Sequence, residues 1–215
     1  MAITGGAMFL FVVAHLLGNL QIFLGPEAIN RYGHFLQSNM EIVWPARIGL
    51  LIMIGLHIWS AISLAAENKA ARPIAYVNTK TVAASYASRT MMMSGLIIFA
   101  FILYHLLHYT VQAPVVNLKH VDFRTLHDPE HRHDVYNMMI IGFSHPAVCA
   151  IYLIGMALLC LHLSHGVNSM FQSLGWRKKT YGECLSKAAR VIAALIFVGY
   201  ASIPIAVITR FLVQK

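Results

Sequence analysis

Five long runs without a charged side chain, separated by charged connections, leave this chain few folds to choose from. They cover 2–26, 48–66, 90–118, 135–176 and 191–209 of the 215 residues. A helix rising ~1.5 Å per residue crosses ~30 Å of hydrocarbon in about 20 residues. It also satisfies its backbone polar groups internally, as lipid demands. The composition agrees: 58% of residues are hydrophobic and only 11% charged, against about 25% charged in a soluble domain. The fourth run could hold two tightly turned spans, but Ser144-His145-Pro146 interrupts it. Proline suits a first helical turn and serine a cap, so a helix should start at Pro146 behind a short interfacial segment. The expectation is an all-α membrane protein: one five-transmembrane-helix bundle over 1–215, with helices about 2–25, 46–66, 90–112, 146–172 and 189–211.

The formal charge of +8 would raise nucleic acid as a partner for a soluble protein. Here the charges collect between apolar runs, so they set orientation and attract anionic lipid head groups. The second and fourth connections carry Lys69, Arg72, Lys80 and Arg89, then Arg177, Lys178, Lys179, Lys187 and Arg190, opposed by Glu67 and Glu183. The first and third hold most of the acids: Glu27, Glu41, Asp122, Asp128, Glu130 and Asp134. The positive-inside rule then puts the N-terminus in the cytoplasm and the C-terminus outside. The first run makes a poor signal peptide and reads as a retained span; its abrupt start leaves room for a missing basic leader. Cys149, Cys160 and Cys184 show no CxxC spacing and read as packing residues.

Histidines carry the chemistry. Seven of twelve fall in or beside the apolar runs: His15, His57, His105, His108, His145, His162 and His165. Polar side chains in lipid are retained mainly where they face a partner or a cavity. Counted from the cytoplasmic helix ends, His57 and His162 lie ~15 Å deep, and His15 and His105 ~21–24 Å. Two pairs at two heights, each bridging two helices, suit two macrocycles stacked across the bilayer. A zinc or copper site would call for three or four converging ligands, usually with a thiol or carboxylate. Two imidazoles per level match a six-coordinate haem iron, which relays electrons and does not activate oxygen. Ala14, Gly18, Gly55 and Gly166 offer small-residue gaps beside the ligands, though small residues also favour helix packing. His120, His127, His131 and His133 in the third connection read as loop residues, and Met91, Met92 and Met93 as packing.

Several stretches carry a family resemblance. They are Ala14-His15-Leu16-Leu17-Gly18-Asn19-Leu20, Gly55-Leu56-His57-Ile58-Trp59, Tyr104-His105-Leu106-Leu107-His108, and His162-Leu163-Ser164-His165-Gly166-Val167 with Ser169-Met170-Phe171. Gly25-Pro26-Glu27-Ala28-Ile29-Asn30-Arg31-Tyr32 and Ser85-Tyr86-Ala87-Ser88-Arg89-Thr90 add to it. Together the chain resembles the dihaem cytochrome b membrane-anchor subunit of bacterial succinate dehydrogenase and fumarate reductase, the succinate:quinone oxidoreductases. The resemblance implies two b haems, the outer on His15 and His105 and the inner on His57 and His162. It implies a flavoprotein subunit with FAD and an iron–sulfur subunit as partners, and a quinone, often menaquinone, as substrate. It further implies the bacterial inner membrane, and a higher oligomer of the complex stays open. The chain holds no flavin fingerprint and no cluster cysteines, so succinate chemistry would lie on its partners.

Secondary assignments follow. His108 and His165 sit three residues from proposed ligands; they are propionate or quinone hydrogen-bond partners, or plain interhelical contacts. Tyr86 and Arg89 are candidates for a haem propionate, with an ordinary interfacial anchor as the competing reading. Glu27, Gln37, Glu41 and His108 are candidates for the quinone head group. Competing functions are the dihaem cytochrome b of a hydrogenase, formate dehydrogenase or nitrate reductase, a transporter using intramembrane histidines, and a structural anchor without cofactor.

Overall fold

The structure, a computed structural model, describes residues 1–71, 86–178 and 180–212. Arg72, Lys80, Lys179 and Ser85, used above, lie outside the described residues. Regular structure among the described residues is helical, apart from one antiparallel bridge between His127 and His133. Five helical segments are long and apolar enough to cross a membrane.

Helix α1, Ala2–Asn19, tightens into a 3-10 turn at Leu20–Leu24 and stops at Gly25. Gly25 has φ +104°, a conformation that favours glycine. Helix α2, Pro26–Ser38, follows at once, with proline in its first turn and Glu27 against the helix dipole. Its 13 residues fall short of a membrane span, so the charge pattern alone marks it only as a connection. Helix α3, Met40–Ala70, starts before the expected residue 46 and runs through Pro45. After the short α4, Tyr86–Arg89, helix α5, Met91–His105, widens into a π turn at Leu106–Thr110.

The expected interfacial segment is helix α6, Val135–Gly142, and helix α7 is Pro146–Ser173. Its cap is His145, whose Nδ1 accepts the Ala147 N–H at 3.2 Å, and not Ser144. The Ser144 hydroxyl instead donates back to Ile141 O at 2.7 Å. Helix α8, Gly182–Ile208, begins ahead of the expected residue 189 and stops before 211, so Cys184 lies on a helix and not in a loop.

Helix α7 is the hub: it packs against α1, α5, α8 and α4. Helix α3 rests on α1 and α2, and none of its 31 residues is buried. One buried cluster joins Leu16, Cys160, Ala193 and Ile196 between α1, α7 and α8. The larger one gathers Ile22, Ile29, Phe143, Val148, Tyr152 and Ile203 at one end of the bundle. That end is capped by α2, α6 and the segment 111–134. Buried Asn30 ties the cap together: its amide donates to Asp134 at 3.1 Å and its carbonyl accepts Tyr136 N–H at 2.9 Å. Gly18 serves this cap, because a Cβ there would stand 2.8 Å from the Tyr32 ring of α2.

Candidate functional site

Two pairs of histidine rings face each other across the bundle. His57 on α3 meets His162 on α7, with centroids 6.3 Å apart and planes at 58°. His15 on α1 meets His105 at the end of α5, at 5.8 Å and 83°. These are the pairs expected from depth. The first lies toward the uncapped end, beside Thr4; the second lies toward the cap, beside Tyr152. Neither pair is joined by a hydrogen bond among the described residues.

These separations can be compared with a shared metal. A metal–imidazole bond is ~2 Å and the ring centroid stands ~1.1 Å behind the ligating nitrogen, so two axial rings on one iron have centroids ~6 Å apart. Both pairs fit. Among the described residues no group of three or more His, Cys, Asp or Glu side chains converges on a point.

The Nδ1 of three of the four rings meets a hydroxyl from another helix. Thr4 Oγ1 on α1 lies 3.1 Å from His57 Nδ1, Ser94 Oγ on α5 lies 3.2 Å from His162 Nδ1, and Tyr152 Oη on α7 lies 3.2 Å from His105 Nδ1. Metal-bound imidazoles characteristically engage their second nitrogen this way, which fixes tautomer and ring orientation. Bare backbone faces the uncapped-end rings. A Cβ on Gly5 would stand 3.5 Å from His57 Cε1, and one on Gly95 would stand 3.6 Å from His162 Cε1. A Cβ on Gly55 or Gly166 would meet nothing within 4 Å. Sequence reasoning chose Gly18, Gly55 and Gly166 and missed Gly5, Gly95, Thr4 and Ser94. The one available signal was their place on helices bearing the other pair.

The secondary candidates separate. His108 is fully buried, stacked on Tyr109 at 4.0 Å, with Nδ1 3.0 Å from the Tyr152 hydroxyl. His165 Nε2 lies 3.0 Å from the Ser169 hydroxyl one turn along α7. Tyr86 and Arg89 are exposed on α4, beside α7. Gln37 and Glu41 are exposed near the junction of α2 and α3. Glu27 is bound up in the cap, where Arg132 reaches it at 2.7 Å, Asp128 at 2.7 Å and Glu130 at 3.1 Å.

Charge in the cap is mutually held. The Arg132 hydrogen bond holds Glu27 below its ordinary pKa. Burial pushes Asp128 up, but hydrogen bonds from Arg132 outweigh it and leave the carboxyl below its ordinary value. Burial pushes His133 down, and its Nε2 accepts from the Gln112 amide at 3.1 Å. His133 thus serves the cap's own hydrogen bonds, as does His127, whose Nδ1 lies 3.1 Å from Thr125 O. A cavity of ≈ 350 Å³ beside the cap is lined by Ile22, Phe23, Pro26, Tyr136, Ile140 and Leu212, apart from both ring pairs. Comparison with family models, with curated proteins and with solved structures finds no match to this chain.

Proposed function

We propose that this chain is the dihaem membrane-anchor and electron-transfer subunit of a bacterial succinate:quinone oxidoreductase. The observation that carries the haem reading is the meeting of four histidines from four helices in two pairs at iron-bridging separation. His57 and His162 would hold the inner haem, and His15 and His105 the outer. Thr4, Ser94 and Tyr152 orient the rings, and Gly5 and Gly95 leave room against two of them. Haem iron with two axial imidazoles supplies one-electron transfer without an open coordination position.

The succinate assignment rests on the sequence resemblance. In this reading the uncapped end faces the cytoplasm, where Lys69, Arg89, Arg177, Lys178, Lys187 and Arg190 favour an iron–sulfur subunit carrying electrons from a flavoprotein. The capped end faces outward, the quinone pool is served from the outer level, and the membrane is the bacterial inner membrane.

Single His→Ala substitutions test this through reduced-minus-oxidised spectra. Changing His57 or His162 should remove one haem signal, and changing His15 or His105 the other. Two full signals surviving any one change refute that residue's assignment. Colourless cofactor-loaded protein refutes the haem reading altogether. Co-purification of a flavoprotein supports the succinate assignment; a molybdenum or nickel enzyme in its place overturns it.

A further inference from the structure

The two levels differ in what lies behind the ring. At the uncapped level both hydroxyls give their own proton to a backbone carbonyl: Thr4 to Met1 O at 3.0 Å and Ser94 to Met91 O at 3.1 Å. Each can then only accept from its imidazole. That puts the imidazole proton on Nδ1 and leaves the Nε2 lone pair bare. Both chains end on backbone.

At the capped level the partner of His105 Nδ1 is the Tyr152 hydroxyl, which also lies 3.0 Å from His108 Nδ1. A phenol has one proton, so it donates to one ring and accepts from the other. Two orders make both hydrogen bonds to Tyr152, and each leaves His108 Nε2 unpaired. If Tyr152 donates to His105, the His105 proton moves to Nε2 and the ring cannot ligate. If His105 Nδ1–H donates to Tyr152 and Tyr152 donates to His108 Nδ1, His105 Nε2 is free to face His15. The second order puts the His108 proton on Nε2, which is buried and has no hydrogen-bond partner among the described residues. The π turn at Leu106–Thr110 carries His108 to the same hydroxyl that His105 reaches, and π turns recur at functional sites.

We infer that Tyr152 is a positioning residue for the outer haem: it runs a one-way hydrogen-bond chain from His105 to His108 that fixes His105 as a ligand. This rests on the haem reading above. A polarised phenol accepts more strongly, so His108 strengthens the chain behind His105. It also makes His105 a more basic ligand.

The test uses the intact haem-loaded protein and the variants Tyr152→Phe and His108→Gln. Tyr152→Phe keeps the ring and removes the bridge. Its outer haem should show a raised midpoint potential, altered low-spin resonance and ~10–100-fold weaker retention, with the inner haem unmoved. His108→Gln should shift the outer potential in the same direction by less. Unmoved outer signals in Tyr152→Phe overturn the inference, as does a Tyr152→Phe shift that His108→Gln does not share. Absence of two haem signals in the unaltered protein overturns the haem reading itself, a result the variants cannot produce.

Discussion

Replacing Ser94 with alanine isolates the contribution of one hydroxyl to the uncapped-level site. Ser94 is 3% exposed and its oxygen lies 3.2 Å from His162 Nδ1. Alanine removes that acceptor and alters little else, since the helix keeps its backbone bonds. The imidazole then has two courses. It can keep Nδ1–H unpaired at this part-buried position, at a cost of up to ~1–3 kcal/mol. Or it can shift the proton to Nε2 and lose the ligating lone pair. On the dihaem reading either course would weaken haem binding, and at about 1.4 kcal/mol per tenfold the loss would be ~10–100-fold. Thr4→Val should act likewise through His57. The double variant should lose less than the sum, because both rings would serve one iron. Titration of the detergent-solubilised, haem-depleted chain with haemin reads both sites separately by their spectra. The capped-level site should keep its affinity in both variants. Gly49→Ala on α3 is the control, because a Cβ there would meet nothing within 4 Å. Wild-type haemin affinity at the uncapped level in Ser94→Ala would refute the reasoning.

Further outcomes concern the capped end. Gly155→Ala places a Cβ 2.6 Å from the Phe101 ring, which packs on His105 and Tyr152. Overpacking of this kind costs ~1–3 kcal/mol; melting should fall and the capped-level haem signal broaden while the other persists. Arg132→Ala leaves the Asp128 side chain, 4% exposed, without its guanidinium. Hydrogen exchange across 111–134 should accelerate, and unchanged protection would show that the clamp contributes nothing. Acidification should loosen the same cap in two stages. His133 has a folded pKa below its ordinary 6.5, so its contribution is full above 6.5 and is lost as pH falls toward the folded value. Glu27 and Asp128 are depressed below 4.5 and 3.8, so theirs is lost later, as pH falls through their folded values. A cap whose exchange protection is flat from pH 7 down through the folded values of these carboxyls contradicts both assignments.

The spans were legible because lipid imposes one length scale, about 20 residues, and the sequence breaks its apolar runs with charge on that scale. The ring pairs were legible because a helix converts residue number to height at ~1.5 Å each. Height, however, says nothing of azimuth. Thr4 and Ser94 reach their histidines across sequence gaps of 53 and 68 residues, which no local pattern encodes. Gly18 shows the converse: its neighbourhood to His15 suggested a cofactor gap, yet the space is filled by Tyr32 of a helix the reading left as loop. Gly25-Pro26-Glu27 did carry the stop and start of α2, but at 13 residues α2 falls below the membrane length scale. His108 was ranked behind His105, and the structure places it behind the ring rather than opposite His15.

Helix α3 supplies one ring of the uncapped pair yet contributes no buried side chain, and its principal contacts are with α1 and α2. Its approach to α7 runs through His57 and His162, 6.3 Å apart and not hydrogen-bonded to each other. A direct N–H···N bond would bring ring centroids to ~5 Å, given ~2.9 Å between nitrogens. The pair is therefore too far apart for a direct N–H···N bond, and a group held between the rings is one way to fill that gap. If that is an iron porphyrin, burial of its faces supplies the apolar contact that α3 otherwise lacks. Haem depletion, or His162→Ala, should then loosen α3 against α7 while α7 and α8 keep their packing. Spin labels on exposed Leu64 of α3 and Leu161 of α7, read as a distance distribution, measure this directly. Haem-loaded protein should give one narrow distribution and depleted protein a broad one, whereas a pair of labels on α7 and α8 should not change. A narrow α3–α7 distribution at the same distance without haem would mean that protein contacts alone hold α3, and that the spacing of the two rings has another cause.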